Sequence, residues 1–202
     1  MREFEVRKPA AVILAAGSSS RMGQTKPTVL LEGLPMLLHA AKTFVDAGID
    51  HIVVVTGFDA EKVAELAREH GLHPVYNKRF SEGMFSSVLA GIGAVPLDFD
   101  AAFVLPVDIP FVSPATVGAI LGAMGTRPIV VPRHWGRPGH PPLLHRAVFD
   151  SLGGWHGPDG LGGFLRMRSS DVDYVDVDDR FVLRDIDSKV DLEQILLDRK
   201  CT

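Results

Sequence analysis

Ala11-Val-Ile-Leu-Ala-Ala-Gly17-Ser-Ser-Ser-Arg21-Met-Gly-Gln-Thr-Lys26-Pro27 is the stretch whose reading decides the fold. A short apolar run ends in small residues and a glycine, then passes into hydroxyls, an arginine and a lysine. Such a run reads as a buried strand that delivers a loop rich in backbone N–H donors and cations. Those groups suit a polyphosphate. A P-loop needs G-x-x-x-x-G-K-[ST], but five residues separate Gly17 from Gly23 and Gln24 follows it. A dinucleotide-binding turn needs G-x-G-x-x-G, and three serines follow Gly17 instead.

Outward from this stretch, strand-like and helix-like segments alternate, which predicts a mostly parallel sheet with crossover helices. Val12–Ala15 reads as a strand, and Pro35 opens a helix to about Ala47, closed by Gly48. His51–Thr56 is a Val-rich strand, followed by a helix capped by Asp59 and running through His70. A short strand at Pro74–Tyr76, a helix from Met84 to Ile92 and a buried strand at Ala101–Leu105 come next. Ser113-Pro114 opens another helix. The pattern then loosens: a strand at Ile129–Val131, a Gly/Pro/His-rich loop at Arg133–Pro142, sheet at Leu143-Leu144, and six glycines within Ser151–Gly163. Asp171–Asp179 alternates like a half-exposed strand, and Ser188-x-x-Asp191 starts a final helix as a capping box. With no repeat and no linker, the expectation is one domain over residues 1–202.

With 46 % hydrophobic and 23 % charged residues the composition is that of a globular enzyme, and a net charge of −4 argues against nucleic-acid or anionic-membrane partners. Cys201 is the one cysteine, so no internal disulfide forms. Arg2, Arg7 and Lys8 ahead of Ala10–Ala16 have the outline of a signal peptide. The run is short and Arg21 and Lys26 follow it, so a cytoplasmic location is expected.

Ligands of an open α/β sheet bind at the carboxyl ends of its strands. Gly17, Asn77 and Pro106-Val-Asp108-Ile-Pro-Phe111 all fall there. Asp108, held between two prolines, suits Mg²⁺, which takes one or two carboxylates and otherwise keeps water and phosphate oxygens. Its alternative is a turn aspartate bonded to local backbone. Asp185-Ile-Asp187-Ser188 offers a second carboxylate, Asp187 by position and Asp185 as its substitute, unless both merely favour a helix N-terminus.

The first stretch, with its L-A-A-G-x-S-x-R-M-G-x-x-K pattern, resembles the opening signature of the MobA/MocA-like nucleotidyltransferases. P-V-D-I-P-F is similar to that family's metal-binding P-V-D-M-P-F. The resemblance implies a three-layer α/β/α Rossmann-like nucleotidyltransferase fold with a mostly parallel mixed sheet. It also implies Mg²⁺ (with Mn²⁺ as a substitute) held by Asp108 and Asp187, and a nucleotide base bound by backbone of Leu14, Ala15, Ala16 and Gly17. Arg21 and Lys26 would offset triphosphate charge, and Asn77 would complete the nucleotide side. No covalent enzyme group is needed, since an acceptor phosphate attacks the α-phosphate and pyrophosphate leaves.

On the acceptor side, Glu82, Gly83, Met84, Ser86 and Ser87 resemble the family's N…G-[ML]-x-x-S-[LV] segment. Pro138-Gly139-His140-Pro141 resembles the G-H-P motif of its cytidylyltransferase branch. Both sets have plainer readings, helix-start serines and a structural loop histidine. The AAG triplet and G-H-P imply CTP and molybdopterin cofactor, with a molybdenum hydroxylase or its chaperone as a protein partner. One departure stands out. The family's G-D-x-G-A-R-like acceptor loop reads Gly157-Pro-Asp159-Gly-Leu-Gly-Gly163-Phe-Leu-Arg166, without the alanine–arginine pair. Rival readings are a GTP-dependent enzyme on the same cofactor, transfer to a sugar 1-phosphate or phosphocholine, and a cofactor-binding chaperone without turnover.

Overall fold

Strict alternation along Pro9–Ala15 builds the molecule outward from an interior strand of its sheet. Ala11, Ile13 and Ala15 point to one face of the sheet; Ala10, Val12 and Leu14 point to the other. Both sets are buried, as a strand covered on two sides requires. The computed structural model describes residues 4–17 and 25–200, without the side chains of Lys189 and Lys200. Arg21 and Cys201, named above, lie outside the described residues.

In chain order the elements are β1 (Pro9–Ala15), β2 (Leu30–Leu31), β3 (Leu34–Pro35), α1 (Met36–Val45), β4 (Ile52–Thr56), α2 (Ala60–Glu69) and β5 (His73–Tyr76). They continue with α3 (Met84–Ala94), β6 (Ala101–Pro106), α4 (Pro114–Gly122), β7 (Ile129–His134), β8 (Arg137–Pro138) and β9 (Leu143–His145). The last are α5 (Phe149–Gly153), α6 (Gly160–Met167), β10 (Val172–Asp176) and α7 (Lys189–Lys200). The main sheet runs β10-β7-β9-β6-β1-β4-β5, with β8 on the edge of β7. All of its neighbour pairings on that path are parallel except those of β9, which lies antiparallel between β6 and β7. Helices α1, α2, α4 and α7 cover one face, and α3, α5 and α6 the other, giving three layers.

Most expected elements form within a residue or two of their predicted ends, and Ser188 and Asp191 make the reciprocal capping bonds. The strand expected over Asp171–Asp179 ends at Asp176, because Asp179 instead caps the following 3-10 turn, and four further expectations change. Pro35 pairs in β3 and stands just before α1 rather than within its first turn. The Arg133–Pro142 loop is largely a hairpin: β7 runs on to His134, and Trp135 and Gly136, with φ of 49° and 77°, turn it back into β8. The glycine-rich Ser151–Gly163 segment holds the end of one helix and the start of another, because Leu152 of α5 and Leu161, Phe164 and Leu165 of α6 still pack on the α3 side of the sheet. Asp59 occupies the N-cap position but makes no capping bond; its φ is 57° and its carboxylate is used elsewhere.

At the opposite end of the sheet from the signature loop, the His51 ring stacks on His73 at 4.3 Å and lies 4.5 Å from Phe99. Its Nε2 is buried and has no hydrogen-bond partner among the described residues. Burial, then the charge of His73, holds its pKa below the ordinary histidine value, with Asp98 opposing and Lys8 assisting. A neutral folded histidine that is more basic when unfolded adds stability in full above about pH 6.5, and that stability is lost as pH falls below it. His51→Phe, which keeps the ring stack but cannot titrate, should therefore flatten the loss of stability between pH 7.5 and pH 5.5. Urea unfolding at the two pH values checks it.

Candidate active site

The carboxyl ends of β1 and β6 meet directly. Val107 N–H donates to the Leu14 carbonyl at 3.1 Å, so the residue after β6 is stitched to the end of β1. The turn Val107-Asp108-Ile109 is closed by Ile109 N–H to the Pro106 carbonyl at 3.2 Å. Asp108 is thereby presented over the strand ends, beside Leu14, Ala15, Ala16 and Gly17. These residues line a cleft of about 480 Å³ together with Lys26, Phe80 and Met84.

The second carboxylate arrives from far along the chain by backbone bonding. Fully buried Ile186 donates its N–H to the Asp108 carbonyl at 2.8 Å. Asp187, the next residue, is thus brought to the same place, and Asp191 accepts from the N–H groups of Asp187 and Ser188 at 3.2 and 2.8 Å. Asp191 is held below the usual carboxylate range by its bond from the Ser188 hydroxyl. Asp185 points out to solvent and takes no part in this pairing.

Lys26 sits between the two carboxylates. Its Nζ donates to Asp108 Oδ2 at 2.9 Å and to Asp187 Oδ1 at 2.5 Å. Burial of the ammonium disfavours its charge, but the bonds to Asp187 and Asp108 outweigh that and hold its pKa above the ordinary lysine value. Two carboxylates converging on one cationic point fit a divalent ion of the Mg²⁺ type, which needs no larger protein cage. Among the described residues no cluster of three or more His, Cys, Asp or Glu side chains is arranged to hold a metal.

The Gly139-His140 loop supports this arrangement from below. Gly139 N–H donates to Pro132 O at 2.8 Å and His140 N–H to Val182 O at 2.9 Å. A Cβ on Gly139 would stand 2.5 Å from the Val182 carbonyl oxygen, so only glycine permits this approach. Val182 belongs to the 3-10 turn Arg180–Leu183 that leads directly to Ile186 and Asp187. His140 is largely buried; desolvation pushes its pKa down, against the pull of Asp108 and Asp185. At neutral pH it offers a neutral imidazole, a hydrogen-bonding group rather than a cation.

Other expected residues are drawn into internal bonding. Asn77, buried, donates from Nδ2 to Ser86 Oγ at 2.8 Å and Ser87 Oγ at 3.0 Å, and its Oδ1 accepts from Arg79 N–H at 2.9 Å. Ser86 Oγ in turn donates to the carbonyls of Arg79 and Gly83. The trio fixes the turn that carries Phe80 and Ser81 into the cleft. Glu82 turns outward into a bidentate pair with Arg79. Gly83 and Met84 line the cleft at the start of α3. Asp159, at the head of α6, pairs with Arg166 at 2.5 Å, both on the surface. The displaced arginine therefore reaches back to the aspartate of its own loop. Phe80, Ser81, Val182 and Ile186 were not singled out from sequence. Only Phe80 and Ser81 carried a signal, as members of the polar turn after Asn77.

With this geometry in place, the comparisons with known proteins are consistent with one family. The profile of the MobA-like NTP transferase domain matches residues 11–173, and the chain belongs to that family. Nicotine blue oxidoreductase of Paenarthrobacter nicotinovorans is 30 % identical over 92 % of this chain and 95 % of its own length. The bifunctional protein GlmU of Agrobacterium fabrum is 34 % identical over 65 % of the chain, but the chain spans only 30 % of that protein. In structure, Rv0371c from Mycobacterium tuberculosis superposes with a TM-score of 0.81 at 25 % identity, over 94 % of this chain and 98 % of that one. Rv0371c has also been solved in complex with manganese, with a TM-score of 0.77 at 23 % identity over the same shares of the two chains.

If Gly139 is needed for the approach to Val182, Gly139→Ala should destabilise the fold by about 1–3 kcal/mol, the usual cost of overpacking. Urea unfolding with an unchanged m-value checks it.

Proposed function

We propose that this chain is a Mg²⁺-dependent nucleotidyltransferase that transfers CMP from CTP to molybdopterin cofactor and releases pyrophosphate. The observation that carries the reading is the convergence of Asp108 and Asp187 on the Lys26 ammonium, at the mouth of the cleft formed by Leu14–Gly17. In the proposed reaction an acceptor phosphate oxygen bonds to the α-phosphorus, the bond from that phosphorus to the β-phosphate oxygen breaks, and pyrophosphate leaves with its electron pair. Asp108 and Asp187 would hold the divalent cation, which when bound neutralises charge at the transferred phosphate.

The chain's own groups supply the rest. Lys26 acts as a point charge toward the triphosphate once the carboxylates have another cation to bind. Arg21 is assigned the same task with its planar fork of donors. Backbone of Leu14 to Gly17 receives the base, next to Phe80. The Asn77–Ser86–Ser87 network holds the Phe80–Glu82 turn and the start of α3, so these residues shape the acceptor side through Gly83 and Met84. His140 reaches the acceptor only as a neutral partner. The preference for CTP and molybdopterin rests on the AAG triplet and the G-H-P motif, and the altered Gly157–Arg166 loop keeps a sugar 1-phosphate or phosphocholine acceptor as the second reading.

Incubation with each nucleoside triphosphate, Mg²⁺ and molybdopterin cofactor, following pyrophosphate, tests the assignment. Release with CTP and the cofactor is expected, and Asp108→Asn should lower the rate at least about a hundredfold, the scale of losing a charge stabiliser at the reacting centre. Activity only with a sugar phosphate would replace the acceptor. Redox turnover of nicotine blue with no pyrophosphate from any triphosphate would replace the reaction class by the one in the name of the Paenarthrobacter relative. A further expectation follows from the lysine bridge. In the absence of nucleotide, Lys26→Met should bind Mn²⁺ about tenfold more tightly than the wild type, because the competing internal cation is gone. Titration followed by electron paramagnetic resonance reads it, and unchanged or weaker binding would mean the lysine does not compete.

A further inference from the structure

We infer that the turn Gly57-Phe58-Asp59, between β4 and α2, is the clamp that holds both ends of the signature loop, and that Asp59 is a positioning residue for Lys26. The inference rests on the reading of Lys26 as the triphosphate-facing cation.

Three observations meet at this turn. On the entering side of the loop, Phe58 N–H donates to the Ala16 carbonyl at 3.1 Å. On the leaving side, Asp59 Oδ2 accepts from the Thr25 hydroxyl at 2.6 Å, a short bond to an ionised acceptor. Thr25 is buried, and its carbonyl receives the Thr28 N–H and the Thr28 hydroxyl, each at 3.0 Å, so Lys26 rides on a 3-10 turn anchored through Thr25. Between the two bonds, Gly57 lies so close to the cleft wall that a Cβ there would stand 2.6 Å from Phe80 Cβ and 2.8 Å from Ala16 Cβ.

The conformation of Asp59 points the same way. An aspartate at the N-cap of a helix ordinarily turns its carboxylate back to the first free N–H groups. Asp59 makes no such bond and instead stands at φ 57°, ψ 37°, a left-handed conformation that L residues adopt rarely. Backbone strain of this kind persists where surrounding structure demands it, commonly at functional sites. What it gains here is reach: the carboxylate leaves the helix axis and meets Thr25 next to Lys26. Ala16 and Lys26, the flanks of the triphosphate-gripping loop, are therefore fixed relative to one another through one three-residue turn.

The test separates the bond from the strain. Asp59→Gly accepts the left-handed backbone without cost but cannot bond Thr25; Asp59→Asn tolerates the same backbone and keeps an acceptor oxygen. Amide hydrogen exchange of the ligand-free protein reads the clamp directly, and titration calorimetry with CTP and GTP in Mg²⁺ reads its consequence. In Asp59→Gly, exchange at Thr28 and Val29 should quicken about tenfold and nucleotide binding weaken by about the same factor, the scale of one lost charge-assisted bond, with the melting temperature little changed. Thr25→Val should reproduce both effects, the double variant should be no worse than either single one, and Asp59→Asn should recover most of the loss. Unchanged exchange at Thr28 and Val29 in Asp59→Gly overturns the clamp whatever the nucleotide does. Faster exchange with unchanged nucleotide affinity removes the positioning role. A wild-type protein that binds neither nucleotide sinks the reading of the site itself, and the exchange result then decides the clamp alone.

Discussion

One backbone hydrogen bond, from Ile186 N–H to the Asp108 carbonyl, ties the C-terminal part of the chain to the end of β6, the middle strand of the sheet. Ile186 is buried on the helical face that also holds α1, α4 and α7, so hydrophobic packing delivers the donor and the bond fixes its register. Asp187 follows by one residue and so cannot miss Asp108. On either side of it stand supports of the same kind: Gly139-His140 bracing the Val182 turn, and Asp191 accepting the N–H groups of Asp187 and Ser188. The carboxylate pair is thus preorganised by backbone hydrogen bonds whose positions are set by the fold, together with the Asp191 side chain that holds the N–H groups of Asp187 and Ser188.

Lys26 completes that arrangement electrostatically. Two carboxylates held together repel, and a half-buried ammonium between them removes the repulsion while gaining enough from it to remain charged. Under the proposed function the same ammonium would face phosphate oxygens once another cation takes its place, so that one side chain would serve both the ligand-free and the ligand-bound protein. The cleft gains a second wall from the Asn77 network, in which the Asn77 amide bonds Ser86, Ser87 and the Arg79 N–H and so holds the turn bearing Phe80.

Parts of this were legible in the residues alone. The buried run of β1, the Val-rich β4 and the apolar β6 read as strands because both faces are covered, which makes alternation unnecessary for burial. Asp108 was legible because two prolines at a strand end hold a loop in one shape. Other parts were hidden for definite reasons. Helices α5 and α6 were masked by glycines, whose low intrinsic preference is overridden by Leu152, Phe164 and Leu165 packing on the sheet. Asp59 looked like a helix cap because its spacing is right for one; only its left-handed backbone redirects the carboxylate. Asn77 has the position of a ligand-binding residue at a strand end, yet its partners are two serines one turn into the next helix. Arg166 looked displaced from the acceptor loop, and a single helical segment brings it back to Asp159.

What the sequence by itself determined is local and periodic: the order of strands and helices, the strand-to-loop transition at Gly17, the lysine and the two aspartate segments. These follow from burial patterns and turn chemistry that act over a few residues. Only the tertiary structure decided which aspartate pairs with which cation, because that choice depends on a hydrogen bond between segments far apart in the chain. Asp185 and Asp187 differ by two positions and are equivalent to any local rule; in the fold Asp185 is exposed, while the Ile186 bond to Asp108 sets Asp187 where it meets Lys26.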